Sequence, residues 1–307
     1  VLYKSTKLFK NVLANMLLNQ EEYLNIQELK KIGIQKLIEN NVDEAAIKVN
    51  ILLQFVLGMG KTELLINDQK SVSKGEKERY FTYITEIIEG KPIQYITNHQ
   101  EFMGLDFYVN ENVLIPQPDT EILVEKAIER IEKCKYIKVL DLCTGSGAVA
   151  IAIANYFRKK GTNCKIEICA SDVSEEALDV AKMNAAQLLG NVEIQFVKSN
   201  MFENIDGKFD LIVSNPPYIE TDTISQLSKE VQREPHIALD GGADGLDFYR
   251  IIAKEGRNYL KEHGSILVEI GYAQKESVSR LFEGYDKVEC FKDLSGNNRV
   301  IAAEFEN

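Results

Sequence analysis

From Asn25 to about Glu89, apolar side chains recur every three or four positions, the spacing of one buried helix face. Leu29, Ile32, Leu37 and Ile38 mark one stripe. Ala45, Val49, Leu52, Leu53, Val56 and Leu57 mark a second, ended by Gly58 and Gly60. A third opens at Val72-Ser73, carries Tyr80, Ile84, Ile87 and Ile88, and stops at Gly90. The pattern predicts a small helical bundle over 25–98, without a cluster of catalytic side chains. Residues 101–115 alternate instead between apolar and polar, with Asn110-Glu111-Asn112 as a turn. That predicts a β-hairpin linker over 99–115. From 116 to 307 strands alternate with helices. The expected strands are 136–142, 165–170, 192–197, 209–214, 265–270, 287–292 and 299–305, and the expected helices 145–157, 174–189, 247–259 and 277–282. This order implies an α/β, doubly wound sheet, mostly parallel and seven-stranded, with right-handed crossovers. Ligands of such sheets bind beyond the carboxyl ends of the strands.

Residues 1–24 stand apart as an extension. Leu8, Val12, Leu13, Met16 and Leu17 recur at helical spacing after Lys4, Lys7 and Lys10. Lys10 and Asn11 interrupt the apolar stretch, and no small-residue cleavage site follows. An extra amphipathic helix is expected here rather than a targeting signal.

A length of 307 residues suits two domains. Hydrophobic residues at 45% and charged residues at 27% match ordinary globular usage, which excludes disordered and collagen-like chains. The longest apolar run, 148–154, has seven residues and falls far short of the ~20 that span a bilayer, so no membrane partner is expected. Five cysteines with no C-x-x-C pair argue against a disulfide framework and a structural zinc, and for reduced thiols in a cytoplasm. No metal is expected. The net charge of −11 is uneven. Residues 1–115 hold 13 basic and 15 acidic side chains, a net of −2, and residues 116–307 hold 23 and 32, a net of −9. A groove tracking phosphates needs the opposite sign, so a nucleic-acid substrate is not expected.

The first strand of the sheet ends in Asp141-Leu142-Cys143-Thr144-Gly145-Ser146-Gly147. The glycines permit a tight turn and close ligand approach. Ala150 in the third slot would also allow a nicotinamide-type fingerprint. Asp141 points elsewhere, because a carboxylate before the glycines suits an ammonium or sulfonium ligand better than a pyrophosphate. The second strand ends in Ser171-Asp172-Val173, where Asp172 is placed to accept from ribose hydroxyls or to cap the next helix. Ser174 can cap that helix itself, which favours the ligand role. After the third strand, Asn200 and Met201 offer either an adenine contact or an ordinary polar turn. Gly60-Lys61-Thr62 has the ending of a phosphate loop, but the first glycine it would need is Phe55, so a helix cap is the better reading.

The fourth strand runs into Asn215-Pro216-Pro217-Tyr218, 74 residues after Asp141. Two prolines fix φ and remove two donors, and the residue before a proline is held extended. The loop therefore offers acceptors, the Asn215 side-chain oxygen and the Pro216 carbonyl, with Tyr218 as a flat wall. Such a loop suits a planar NH2 group, which needs two acceptors and one open face. The histidines at 99, 236 and 263 are not needed for this chemistry.

Together these residues resemble the class I S-adenosylmethionine-dependent methyltransferases whose Asn-Pro-Pro-Tyr loop acts on planar NH2 nitrogens. Further segments narrow the resemblance: Gly90-Lys91-Pro92-Ile93-Gln94-Tyr95, Ile115-Pro116-Gln117-Pro118-Asp119-Thr120-Glu121, Glu234-Pro235, Ala238 to Tyr249, Glu269-Ile270-Gly271 and Asp293 to Arg299. Over roughly 25–305 the chain is similar to the HemK/PrmC family, the release-factor glutamine-N5 methyltransferases. The resemblance implies methyl transfer from S-adenosylmethionine, leaving S-adenosylhomocysteine, to the glutamine of the Gly-Gly-Gln motif of class-1 peptide chain release factors. It implies a cofactor site at Asp141, Cys143, Thr144, Gly145, Ser146, Gly147, Asp172, Val173, Asn200, Met201 and Asn215. It implies a catalytic loop of Asn215, Pro216, Pro217 and Tyr218, and a helical domain that helps grip the release factor. Cys143 stands where glycine is usual, Gln117 where arginine is usual and Asn200 where aspartate is usual. The alternative is a base-amine methyltransferase acting on rRNA or DNA, which shares the NH2 chemistry.

Overall fold

A computed structural model describes residues 24–132, 134–161, 165–190 and 192–306. The helix expected within 1–24 lies outside the described residues. The chain divides into two compact units, one ending at Ile93 and the other starting at Gln94.

In the first unit, polar caps and glycines set the helix limits. Asn25 opens α1 (Ile26–Glu39) and Ser73 opens α4 (Lys74–Ile88), each in a reciprocal capping box with a glutamate three residues on. Between them lie α2 (Ala45–Leu57) and α3 (Lys61–Ile66). Gly58, at φ +62, ends α2, and Gly60 caps α3, so Gly60-Lys61-Thr62 is a helix start. Leu29, Leu37, Val49, Leu52, Leu53 and Ile84 are buried. Tyr80 is buried too and donates to the Leu29 carbonyl at 3.0 Å. A Cβ on Gly33 would fall 1.8 Å from the Tyr80 hydroxyl, so the glycine leaves the space the ring needs. Ile38, expected in the first stripe, is exposed. Adjacent helical residues point about 100° apart, and Leu37 takes the inward direction.

The second unit begins its sheet structure with a hairpin, β1 (Gln100–Phe102) and β2 (Leu105–Phe107). Its reversal is at Met103-Gly104, both at positive φ, and not at Asn110–Asn112 as the alternation suggested. This two-residue turn matches the twist of paired strands. The Glu121 carboxylate accepts from the Met103 N–H at 2.8 Å, and Glu101 accepts from Gly104 at 2.7 Å. Asn112 makes a separate turn, its N–H donating to the Asn110 side chain.

Seven strands then form one sheet: β3 (Tyr136–Leu142), β4 (Lys165–Asp172), β5 (Gln195–Lys198), β6 (Phe209–Ser214), β7 (Leu260–Glu269), β8 (Lys287–Lys292) and β9 (Asn298–Glu304). The spatial order is β5-β4-β3-β6-β7-β9-β8. Pairs from β5 through β7 are parallel, and β9 runs antiparallel to both β7 and β8. The doubly wound, mostly parallel sheet is as expected. Helices α5 (Glu121–Ile131), α6 (Ala148–Lys160) and α7 (Glu175–Leu189) cover one face with Val139, Val213 and Leu267. Helices α8 (Asp247–Glu255) and α9 (Lys275–Leu281) cover the other with Leu140, Ile212 and Val268. Neighbouring strand residues thus feed opposite cores, the reason these strands read as continuous apolar runs.

Several limits differ from expectation. Helix α6 starts at Ala148 because residues 145–147 form the preceding turn. Strand β5 is shorter because only Gln195–Lys198 pair with β4. Strand β7 starts earlier, through the polar Lys261-Glu262-His263, whose side chains hid it from a search for apolar alternation. The chain moves outward from β3 to β5 and returns to β6 on the opposite side of β3. The two chain directions part between β3 and β4 on one side and β6 on the other, the place where such sheets open a crevice.

Candidate active site

The turn after β3 is braced from below. Asp141 is buried, and its Oδ2 accepts from the Thr144 hydroxyl at 2.6 Å and the Ala150 N–H at 3.2 Å. Burial pushes the Asp141 carboxyl up to about 7, against these two hydrogen bonds and with a contribution from the Asp172 charge. Asp172, at the end of β4, accepts from the Gly145 N–H at 2.8 Å and the Ser174 N–H at 3.0 Å. Burial raises its carboxyl as well. Ser174 caps α7 by accepting from Ala177, so the helix does not require Asp172 as its cap. Buried Asn184 of α7 clasps the turn from the side, donating to the Ser146 and Tyr108 carbonyls and accepting from the Tyr108 N–H.

Cys143 adopts φ +58, in the left-handed region that favours glycine. Met201 does the same at φ +49, and its sulfur lies 3.9 Å from the Cys143 thiol. Burial raises the Cys143 thiol, which keeps it neutral. Gly147, at φ +82, caps α6, and a Cβ there would press on Ile151 and Ala181 at 2.9 and 3.1 Å.

These elements border a cleft of about 700 Å³, open mouth included. Cys143, Gly145, Asp172, Val173, Asn200 and Met201 line it, together with Asn215 and Pro217. An adjoining hollow of about 430 Å³ is lined by Asp141, Thr144, Ser146, Gln117, Thr120 and, again, Asn215. Gly147, Pro216 and Tyr218 line neither, so Gly147 acts on the cleft through helix packing. Gln117 donates to the Ile115 carbonyl and Asn200 to Glu203.

The cleft fits a nucleoside joined to a cationic sulfonium. A Cβ built on Gly145 meets nothing within 4 Å, so the backbone there leaves open space beside it. The Asp172 carboxylate lines this space as an acceptor for hydroxyls, and Val173 and Met201 give it apolar walls.

The Asn215-Pro216-Pro217-Tyr218 loop continues β6, and its Asn215 and Pro217 line the cleft. Asn215 Nδ2 donates to the Thr120 hydroxyl at 3.1 Å. Among the described residues, none donates a hydrogen bond to Asn215 Oδ1 or to the Pro216 carbonyl. The loop is backed by the glycines of 241–245. A Cβ on Gly241 would fall 2.7 Å from Tyr218 Cα and 2.9 Å from the Pro217 carbonyl oxygen. Gly241 donates to the Ile219 carbonyl at 2.8 Å, and Gln274 donates to the Tyr218 carbonyl at 3.0 Å.

Behind the loop lies a buried polar cluster. Glu269, at the end of β7, is 2% exposed, and its Oε2 has no hydrogen-bond partner. Burial pushes its carboxyl up to about 7, opposed by the Thr120 hydroxyl, the Arg299 guanidinium and the Tyr218 hydroxyl. With Oε2 unpartnered, these groups act on Glu269 as close neighbours. Arg299 pairs with Asp119 at 2.8 Å and Asp293 at 3.1 Å. Burial, with Glu269 nearby, raises the Tyr218 phenol. Thus Thr120, Glu269 and Arg299, quoted from the sequence only as parts of motifs, converge beneath Asn215. Their convergence depends on sheet order, which no local pattern carries. The histidines lie away from the cluster, His99 beside Asp106 and His236 beside Asp240.

A seven-stranded sheet of this order, with its cleft at the strand ends, is the fold of the class I methyltransferases. The crystal structure of the hMettl16 catalytic domain in complex with MAT2A 3'UTR hairpin 6 shares that fold at a TM-score of 0.52 and 16% identity, over 76% of this chain and 82% of that one. Residues 28–97 match the family model of the PrmC N-terminal domain, and residues 118–243 that of the Methyltransferase small domain. A release factor glutamine methyltransferase of Clostridium acetobutylicum is 42% identical over 259 residues, 82% of this chain and 89% of that protein. One of Clostridium botulinum is 38% identical over 284 residues, 91% and 98%. The chain belongs to the release factor glutamine methyltransferase family.

Two outcomes follow from this geometry. Gly241→Ala pushes on the backbone of Pro217 and Tyr218 while leaving the cofactor turn untouched. Its methyltransferase turnover should fall roughly 10–100-fold, as for a misplacement near 1 Å, with cofactor affinity by calorimetry unchanged. Wild-type turnover would show that the glycine does not hold the loop. The second concerns Glu234, whose buried carboxyl accepts from the Ile115 N–H at 2.9 Å. Burial pushes it up to about 7 from 4.5. The folded state therefore binds this proton more tightly than the unfolded state. The stability it contributes is complete below about 4.5 and is lost as pH rises through about 7. Urea unfolding of wild type and Glu234→Gln should show the wild type losing up to about 3 kcal/mol relative to the variant between pH 4.5 and 8. Parallel pH profiles would contradict the shift.

Proposed function

We propose that this protein methylates the side-chain amide N5 of the glutamine in the Gly-Gly-Gln motif of class-1 peptide chain release factors. S-adenosylmethionine, when bound, supplies a methyl carbon made electrophilic by its sulfonium. Asp172 holds the ribose hydroxyls, Val173, Asn200 and Met201 flank the adenine, and Cys143 to Ser146 line the amino-acid end, with Asp141 bracing them. Asn215 contacts both ligands.

The amide nitrogen is a weak nucleophile because its lone pair is delocalised into the carbonyl. Asn215 Oδ1 and the Pro216 carbonyl accept its two hydrogens, which raises electron density on nitrogen and aims the lone pair along the transfer axis. Alignment of this kind can supply roughly 7–11 kcal/mol of the barrier. As the nitrogen–carbon bond forms and the sulfur–carbon bond breaks, the nitrogen becomes cationic and a proton leaves it. That proton turns acidic only then, so no side chain has to remove it beforehand, and no metal is required. Pro217 keeps the loop extended, and Tyr218 anchors it near Glu269.

One observation carries the reading: the Asn215 amide is tethered through its nitrogen to Thr120, and its oxygen and the Pro216 carbonyl remain without donors. Two unpaired acceptors on adjacent residues suit an NH2 group. The helical domain, 25–98, is assigned to helping grip the release factor, the hairpin segment 99–115 to linking it to the sheet domain, and 116–307 to catalysis. Nothing favours a base-amine substrate, since 116–307 carries a net of −9. No helix of the described residues is long and apolar enough to cross a membrane. We assign the reaction to the cytoplasm, which suits five cysteines without a disulfide pattern.

Mass spectrometry of a purified release factor, after incubation with the protein and S-adenosylmethionine, should find one added methyl on the motif glutamine. Asn215→Ala should abolish that methylation while cofactor binding is partly retained. Near-normal turnover in this variant would refute the assigned role.

A further inference from the structure

We infer that Thr120 is a positioning residue for the reaction, fixing the Asn215 carboxamide so that Oδ1 rather than the amide nitrogen faces the substrate. The inference deepens the function proposed above and rests on it. An asparagine amide can turn over with little change of shape, because its oxygen and NH2 are nearly equal in size. The two orientations are chemically opposed. One presents an acceptor to the substrate NH2, and the other presents hydrogens to hydrogens. The site therefore needs a neighbour that accepts from Asn215 and cannot donate to it.

A hydroxyl alone does not meet this need, since it can donate or accept. Its surroundings remove the choice. Thr120 is buried, with Asn215 Nδ2 3.1 Å from its Oγ1. The buried Glu269 is a second polar neighbour, and above about pH 7, where its carboxyl is ionised, it has only acceptors. The hydroxyl hydrogen turns to the carboxylate, and the Oγ1 lone pairs are left for the Asn215 N–H. Asn215 Oδ1 then points away from Thr120, into the hollow that both residues line.

Thr120, Arg299 and Tyr218 favour the ionised form of Glu269 against the burial that raises its carboxyl to about 7. Arg299 of β9 brings positive charge, offset in part by Asp119 before α5, and Asp293 pairs with the same guanidinium. The phenols of Tyr218 and Tyr249 complete the surroundings, Tyr249 donating to the Glu269 carbonyl at 2.8 Å. Thr120 is itself held rigidly. It closes the helical turn Pro118–Thr120, and Pro116 and Pro118 fix the approach. Sheet order brings this turn, β6, β7 and β9 together.

The test uses the full chain, a full-length release factor and S-adenosylmethionine. Thr120→Val keeps the shape and removes the oxygen, and Thr120→Ser keeps the oxygen. Thr120→Val should lower kcat roughly 10–100-fold, with KM for the release factor and cofactor affinity by calorimetry unchanged. Thr120→Ser should restore most of the lost kcat. A wild-type kcat in Thr120→Val, or an equal weakening of cofactor binding in both variants, would overturn the inference. Should Thr120→Val fail to fold, Glu269→Gln carries the test, because a neutral amide can donate to the hydroxyl and frees it to turn. Wild-type kcat should fall as pH drops below about 7, and Glu269→Gln should lower kcat and erase that limb. An unchanged kcat and pH profile would overturn the inference. Absence of methylation by the wild-type protein sinks the functional reading instead, a distinct result.

Discussion

The hydrogen bond from the Asn215 amide to the Thr120 hydroxyl decides what the strand-end loop can do. A carboxamide is ambivalent, offering an acceptor or a donor according to how it is turned. Once its nitrogen is committed to Thr120, its oxygen becomes a fixed acceptor beside the Pro216 carbonyl. The prolines hold the backbone of the loop extended. Without the tether the same loop would present a mixture of polar faces, and the nitrogen of a substrate amide would have no preferred seat.

The rest of the second unit supports that geometry in layers. Gly241 lets one backbone approach another closely enough to press on Pro217 and Tyr218. Buried Glu269 and Arg299, with partly buried Asp293 and exposed Asp119, form an ionic cluster whose members come from separate parts of the chain. Burying such charges is costly, and replacing them with apolar residues would often stabilise a fold. Their presence under the loop fits a role in orientation more than one in stability. On the cofactor side, Asp172 accepts from the Gly145 backbone and Asp141 from the Thr144 hydroxyl and the first turn of α6, with open space left beside Gly145.

Much of this was legible in the chain. Strand–helix alternation gave the sheet, and Asp141, Asp172 and Asn215 fell at strand ends because each follows an apolar run. The hairpin's turn was not legible. Met103-Gly104 looks unremarkable beside three polar residues at 110–112, and its positive φ angles are made tolerable by Glu101 and Glu121, one of them distant in sequence. Thr120 and Glu269 were visible only as letters in motifs. Their purpose appears once β6, β7 and β9 lie together. Cys143 stands where glycine is usual, and it sits at φ +58, a conformation in which any side chain is strained. Backbone angles of single residues are not written in hydrophobic patterning.

The most direct measurement is a crystal structure of the protein with S-adenosylhomocysteine and a peptide carrying Gly-Gly-Gln. The account predicts the glutamine amide nitrogen within about 3.2 Å of both Asn215 Oδ1 and the Pro216 carbonyl oxygen, with its free face toward the cofactor sulfur. A glutamine seated elsewhere, or an Asn215 amide with its nitrogen turned to the substrate, would contradict it.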